Sequence, residues 1–288
     1  MAARSFAVPL RFVVACVALL GLFASAEFST VRVAARQPAV AAPATPALTL
    51  EEKEAFLKKA KIVRTRGAGK GVTGTLRATL SDGTVTHDAS IQTVDEYIRE
   101  FRSNRGTELN FRDSWRYNVA AYRIDRVLQI NMTPPSVERN YNGKAGAFTW
   151  WVDDVLMDEA ARLKEKTPTP DVDAWNRQMW QVRLFDQLIA NVDRNLGNLL
   201  IDKAWTVWMI DHSRAFRLND KVKAPGNLTK CERVVFERLK ALDLPTLKAT
   251  VEDYLTGSEM RAMLQRRDEI VALIEKAGPA ALYDRPAP

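Results

Sequence analysis

The period of hydrophobic and polar positions changes once along the chain, from short alternating runs in front to longer helical stripes behind. Lys61 to Thr65 and Gly74 to Leu80 alternate in strand fashion around the glycine-bearing segment GAGKGVTG. Asp82-Gly83 is a strong turn pair leading into a further run from Thr84 to Val94, so the spacing predicts a small antiparallel sheet. Ahead of it, Thr49 stands as an N-cap before Glu51-Glu52, which predicts a short helix to about Lys59. Between Asn110 and Gln129, apolar residues at Val119, Ala120, Ile124, Val127 and Leu128 recur at helical spacing. Pro134-Pro135 then opens an extended segment through Val137 to Arg139, Asn142-Gly143 makes another turn, and Ala147 to Val152 (AFTWWV) is a β-prone strand.

Behind this point Val172 to Ile189 reads as a long helix, and Leu199 to Ile201 with Trp205 to Ile210 as a short hairpin. Leu228 to Leu242, Pro245 to Leu255 and Ser258 to Ala277 read as three helices, the last opened by a Ser-Glu cap and closed by Gly278. There is no internal repeat. Strands first and helices second predict an α+β fold with a cleft between its halves.

The first fifty residues stand apart. Arg4 and Arg11 precede an apolar run from Phe12 to Phe23, and Ala24-Ser25-Ala26 supplies the small-residue pattern that signal peptidase accepts. Residues 1–26 therefore read as a signal peptide, with export to the periplasm, envelope or exterior. The run is shorter than the roughly 18 to 20 residues a spanning helix needs, which leaves an uncleaved anchor as the second reading. Residues 27–50 contain QPAVAAPATPAL, an Ala/Pro linker that builds no packed element.

The 288 residues, 47% hydrophobic and 27% charged, are of ordinary globular composition. A net charge of +7 suits an acidic ligand such as a nucleotide. The basic residues are interspersed with acids, so no specific nucleic-acid binding is expected. Beyond the exported segment Cys231 is the one cysteine, which excludes an intrachain disulfide. With His87 and His212 the only histidines, zinc is disfavoured and any metal would be a hard cation held by oxygen.

The candidate chemistry lies at the start of the helical half. In DRNLGN, Asp193 and Asn198 are five positions apart, and Asp211 follows in IDHSRAF at the end of a strand. Phosphoryl transfer needs a carboxylate near the acceptor hydroxyl and oxygen ligands for magnesium. On that pattern Asp193 would orient and deprotonate the acceptor, and Asn198 and Asp211 would hold the metal. A polar helix-to-strand turn explains DRNLGN alone, but not a correctly spaced, strand-borne Asp211.

The pair resembles the motifs of the atypical kinases of the phosphatidylinositol-kinase and HipA type, with Asn191 two residues before Asp193 and Asn195 where those families often carry His. The resemblance implies a two-lobed protein-kinase-like fold, a small antiparallel-sheet N-lobe over residues 51–155 and a helical C-lobe over residues 156–288. It implies ATP as co-substrate with Mg2+ or Mn2+, and Trp151 and Val152 near a hinge whose backbone amides read the adenine.

The chain departs from these families at the phosphate clamp, where a strand Lys pairs with a helix Glu. Gln92 and Asn118 stand in those places and could hydrogen-bond as a neutral pair. Either another cation replaces the Lys, with Lys70 in GAGKGVTG best placed and Lys61 or Lys144 as alternatives, or the domain is a pseudokinase. Arg194 is expected to pair with an acid or a backbone carbonyl near the loop, His212 to be packed, the tryptophans to belong to the core, and Gln265-Arg266-Arg267 to lie on a solvated face. Arg214 to Asn227 occupies the place of an activation segment, its basic residues pointing to an acidic or phosphorylated acceptor or to plain solvation.

The reading is an exported, monomeric, ATP- and magnesium-dependent phosphotransferase, or nucleotidyl transferase, acting on a protein, lipid or small molecule. The alternative is an exported pseudokinase that binds a nucleotide or partner without catalysis.

Overall fold

The computed structural model describes residues 48–68, 74–103, 106–192 and 194–285. Lys70 and Asp193 lie outside the described residues. The architecture is α+β and two-lobed, with a front lobe built on one antiparallel sheet and a helical back lobe.

The front lobe begins with α1 (Leu50–Lys59), whose capping box joins Thr49 and Glu52 as the sequence predicts. Then come β1 (Lys61–Gly67), β2 (Leu76–Ser81) and β3 (Thr86–Gln92). A separate ribbon follows, β4 (Asp95–Ser103) and β5 (Gly106–Ser114), and leads into α2 (Arg116–Leu128). The lobe closes with β6 (Ser136–Tyr141) and β7 (Lys144–Trp150). The sheet order is β1-β2-β3-β7-β6, with α1 packed on β6 and β7. Phe56, Leu57, Leu80, Ile91 and Phe148 form its core.

Residues 151–154 carry the chain to β8 (Val155–Asp158), which pairs with β9 (Leu199–Asp202), itself paired with β10 (Val207–Met209). Between β8 and β9 lie α3 (Glu159–Glu165) and α4 (Val172–Leu188). The C-terminal part contains β11 (Cys231–Glu232), α5 (Arg233–Ala241), α6 (Leu244–Val251), α7 (Gly257–Ala277) and β12 (Leu282–Tyr283), with β11 and β12 parallel. The second core runs through α2, α4, α5, α6 and α7, so α2 packs between the front sheet and the helical lobe. Trp115 and Trp150 are buried in the core, whereas Trp151, Trp205 and Trp208 are only half-buried.

Several expectations are corrected. The helix expected from Asn110 starts only at Arg116, because Asn110 to Ser114 belong to β5. Leu228 to Glu232 are not helical, and α7 is capped by Thr256 with Glu259, not by Ser258. Nor is Gln265-Arg266-Arg267 a solvated face. Arg266 is completely buried and donates to the carbonyls of Leu188, Arg217 and Asn219, which ties α7 to the end of α4 and to the chain after Asp211.

Gly146 fixes where Gln92 lies. A Cβ at this glycine would sit 2.7 Å from the Gln92 carbonyl oxygen and 2.8 Å from Thr93 Cγ2. Only glycine lets β7 approach the end of β3 so closely.

Candidate active site

The site is built around Arg194. Its guanidinium pairs with the Asp186 carboxylate of α4, Nε to Oδ2 at 3.0 Å, and donates to the carbonyls of Asn198 at 3.2 Å and Ile210 at 2.7 Å. The expectation that Arg194 would hold an acid and backbone carbonyls is met. Asp186 and Arg194 are about nine-tenths buried, which gives the pair a low-dielectric setting. A backbone bond from Ile210 N–H to the Asn198 carbonyl, 3.0 Å, completes the join between the turn at Leu196–Asn198 and the strand end carrying Asp211. Arg194, Asn198 and Ile210 thus tie the two sequence motifs together.

His212 is packed, not poised as a base. Burial first, and the charge of Arg194 second, push its imidazole well below the ordinary value and keep it neutral. Arg194 Nη2 donates to its Nε2 at 2.9 Å, and the ring meets Phe185 edge-on. Asp211 between Ile210 and His212 is exposed and has a left-handed φ of 54°. Ala190 and Phe216 are left-handed too, at 48° and 57°. Such backbone costs of order 1–3 kcal/mol per residue and clusters where a fold fixes a functional group.

Gln92 and Asn118 meet as a neutral pair. Asn118 Nδ2 on α2 donates to Gln92 Oε1 at the end of β3, and Asn118 Oδ1 accepts from His212 N–H at 2.7 Å. The pair therefore joins the front sheet to the backbone beside Asp211 without any charge. Lys61 and Lys144 are both exposed, Lys61 opening β1 and Lys144 beside the Asn142–Gly143 turn.

The Trp151 N–H is bonded to the Asp88 carbonyl at 3.1 Å, with Arg77 lying over its ring. Val152 is buried and lines a cavity of about 270 Å³ with Trp150, Asp153 and Trp208. Asn198 is half-buried in its one-turn helix.

Three groups were missed from the sequence. Asp113 on β5 is buried, and its Oδ1 has no hydrogen-bond partner. Burial raises its carboxyl, the charges of Asp211 and Glu96 add to this, and Ser213 and Arg214 oppose it. Asp186 left a trace, a lone acid in the apolar stripe RLFDQLI. Glu108 is held by Arg214 and Arg217 from about a hundred residues away. Nothing local signals such a pairing.

Asn198 and Asp211 carry the oxygen donors a hard cation prefers, and the buried Asp113 Oδ1, which has no partner, belongs to a carboxyl that feels the Asp211 charge. Among the described residues no three His, Cys, Asp or Glu side chains form a ready-made metal cluster.

No protein-family model and no curated protein matches the sequence. Solved structures do match. A hydra Fam20 structure with sugar has a TM-score of 0.61 at 16% identity, covering 83% of this chain and 93% of that one. A Golgi casein kinase with Mn/ADP bound has a TM-score of 0.58 at 14% identity over 83% and 80%. The proinflammatory kinase CtkA of Helicobacter pylori has 0.50 at 10% over 79% and 98%. The fold is kinase-like. These neighbours do not carry the narrower likeness to phosphatidylinositol kinases or HipA.

Proposed function

We propose that this chain is an ATP- and divalent-metal-dependent phosphotransferase of the atypical kinase type. The observation that carries the reading is the Arg194 clamp, which fixes Asn198 and Ile210 to each other while Asp211 alone in its stretch stays exposed. A polar turn without function needs neither the buried ion pair nor the left-handed Asp211.

Asn198 and Asp211 would hold the metal, and the metal when bound neutralises charge on the transferred phosphoryl group. Asp193 would accept the proton of the acceptor hydroxyl as that oxygen attacks. Asn118 holds the His212 amide, and through it the backbone beside Asp211, in register with β3. The neutral Gln92 gives up about one positive charge toward the phosphates, to be supplied by Lys70 or a second cation. A Golgi casein kinase of the same fold is known with Mn/ADP bound, which supports this choice of ligands.

The uncharged Gln92–Asn118 pair favours one rival, a pseudokinase that binds nucleotide or a partner without transfer. Transfer of label from γ-labelled ATP to the protein itself or to a mixture of candidate acceptors separates the two. The phosphotransferase reading predicts magnesium-dependent transfer, abolished by Asp193→Asn. Nucleotide binding without transfer to any acceptor would leave the pseudokinase. We infer also that residues 1–26 direct export; a purified native chain that still begins at Met1 would contradict cleavage.

A further inference from the structure

On the side of the β4–β5 ribbon facing α7 lies a cavity of about 910 Å³. Arg112, Arg214, Arg217 and Lys223 line it, against two acids, Glu108 and Glu259. Glu259 is committed to the start of α7, bonded to Thr256 N–H and to the Tyr117 hydroxyl, with Arg112 3.8 Å away. Glu108 is different: it reaches from the ribbon and gives one carboxylate oxygen to each of two arginines, Arg214 Nη2 at 2.5 Å and Arg217 Nη2 at 2.5 Å. We propose that this cavity is a binding site for a phosphate-like oxyanion, occupied in cis by Glu108, whose carboxylate stands in for two oxygens of the ligand.

Three observations carry it. Guanidinium forks suit phosphate geometry, and two converging on one carboxylate make an oxyanion cradle. The protein does not saturate the cations, since Arg112 Nε and Arg217 Nε are buried without partners. Finally, among the described residues the ribbon carrying Glu108 pairs with no other strand, and it leaves Tyr97 and Leu109 exposed. An isolated two-stranded ribbon is marginally stable, so its seat depends on contacts such as these ion pairs, the stacked Phe101–Phe111 rings and Arg214 over Phe111. Displacing Glu108 would open the cavity beside Val192 and Phe216. The inference goes beyond the proposed activity and stands or falls without it, because its test is binding in the absence of nucleotide.

The probe is inorganic phosphate, titrated calorimetrically into the nucleotide-free chain at constant ionic strength so that screening does not change. Glu108→Gln should bind phosphate about ten-fold tighter than the wild type or better, because the internal competitor is gone. Arg217→Gln added to that variant should abolish the gain. Amide exchange over residues 95–103 and 106–114 of the wild type should quicken as phosphate is added. Free phosphoserine, tested in parallel, should bind tighter than phosphate if the oxyanion arrives on a larger ligand, and equally if a free ion is the occupant. Equal phosphate affinity in wild type and Glu108→Gln would overturn the proposal, and so would unchanged exchange in the ribbon. Should Glu108→Gln fail to fold, the wild-type exchange measurement decides alone.

Discussion

Arg194 shows how much one residue of DRNLGN does that its motif does not advertise. The spacing of Asp193, Asn198 and Asp211 is local and was legible in the sequence. What holds Asn198 against Ile210 is a buried ion pair with Asp186, which no local pattern displays. Arg194→Met should therefore destabilise the fold by about 3–5 kcal/mol, because it strands the Asp186 charge in the interior. Urea unfolding measures this, and the double variant Arg194→Met with Asp186→Leu should recover most of the loss; a single-variant loss under about 1 kcal/mol would show that the pair is not structural. Arg266 makes the same point from the opposite side. Its acidic and basic neighbours in sequence suggested solvent, yet burial pushes its guanidinium down to about 10 and three carbonyls depend on it. Arg266→Met should cost at least about 3 kcal/mol by thermal or urea unfolding, since it orphans those acceptors.

At the scale of elements, the Thr49 cap located α1, and hydrophobic pattern located β2, β3, β7, α4 and α7 because each presents an apolar face to a core. The β4–β5 ribbon was missed because it has no such face along most of its length. Its charged residues sit on both sides, and Glu108 finds its partners in the chain beyond Asp211. The β3–β7 junction is the counterpart that local sequence could only hint at, through a glycine within a strand. Gly146→Ala should destabilise the protein by about 1–3 kcal/mol and shift the backbone at Gln92, visible in amide spectra; a neutral effect would contradict the close approach described above. Within the front sheet, the adjacent strands β2 and β3 carry a pH-sensitive contact. Burial raises the Asp88 carboxyl, but the hydrogen bonds from Thr79 and Arg77 outweigh it and leave the group below its ordinary value. A carboxyl lowered in the folded state binds fewer protons there than in the unfolded chain. Its stabilisation is present above the ordinary carboxylate value and fades as pH falls through the folded one. Asp88→Asn should flatten the loss of stability between about pH 5 and pH 2, read from urea midpoints; an unchanged slope would remove Asp88 as a contributor.

For the molecule as a whole, the order of strands and helices already implied two lobes, and the solved structures of hydra Fam20 and the Golgi casein kinase share that fold. The lobes are joined by a neutral bridge, Gln92 to Asn118 to the His212 amide. A bridge of this kind keeps geometry but leaves phosphate charge to be met elsewhere, so nucleotide affinity should depend unusually strongly on the divalent ion. The central claim, a metal–nucleotide site at Asn198 and Asp211, is tested most directly by titrating ATP into the wild type and Asp211→Ala with and without magnesium. Binding seen only with magnesium and lost in Asp211→Ala is the expected result. No binding by the wild type at millimolar ATP, or equal binding with and without magnesium in both proteins, would contradict it.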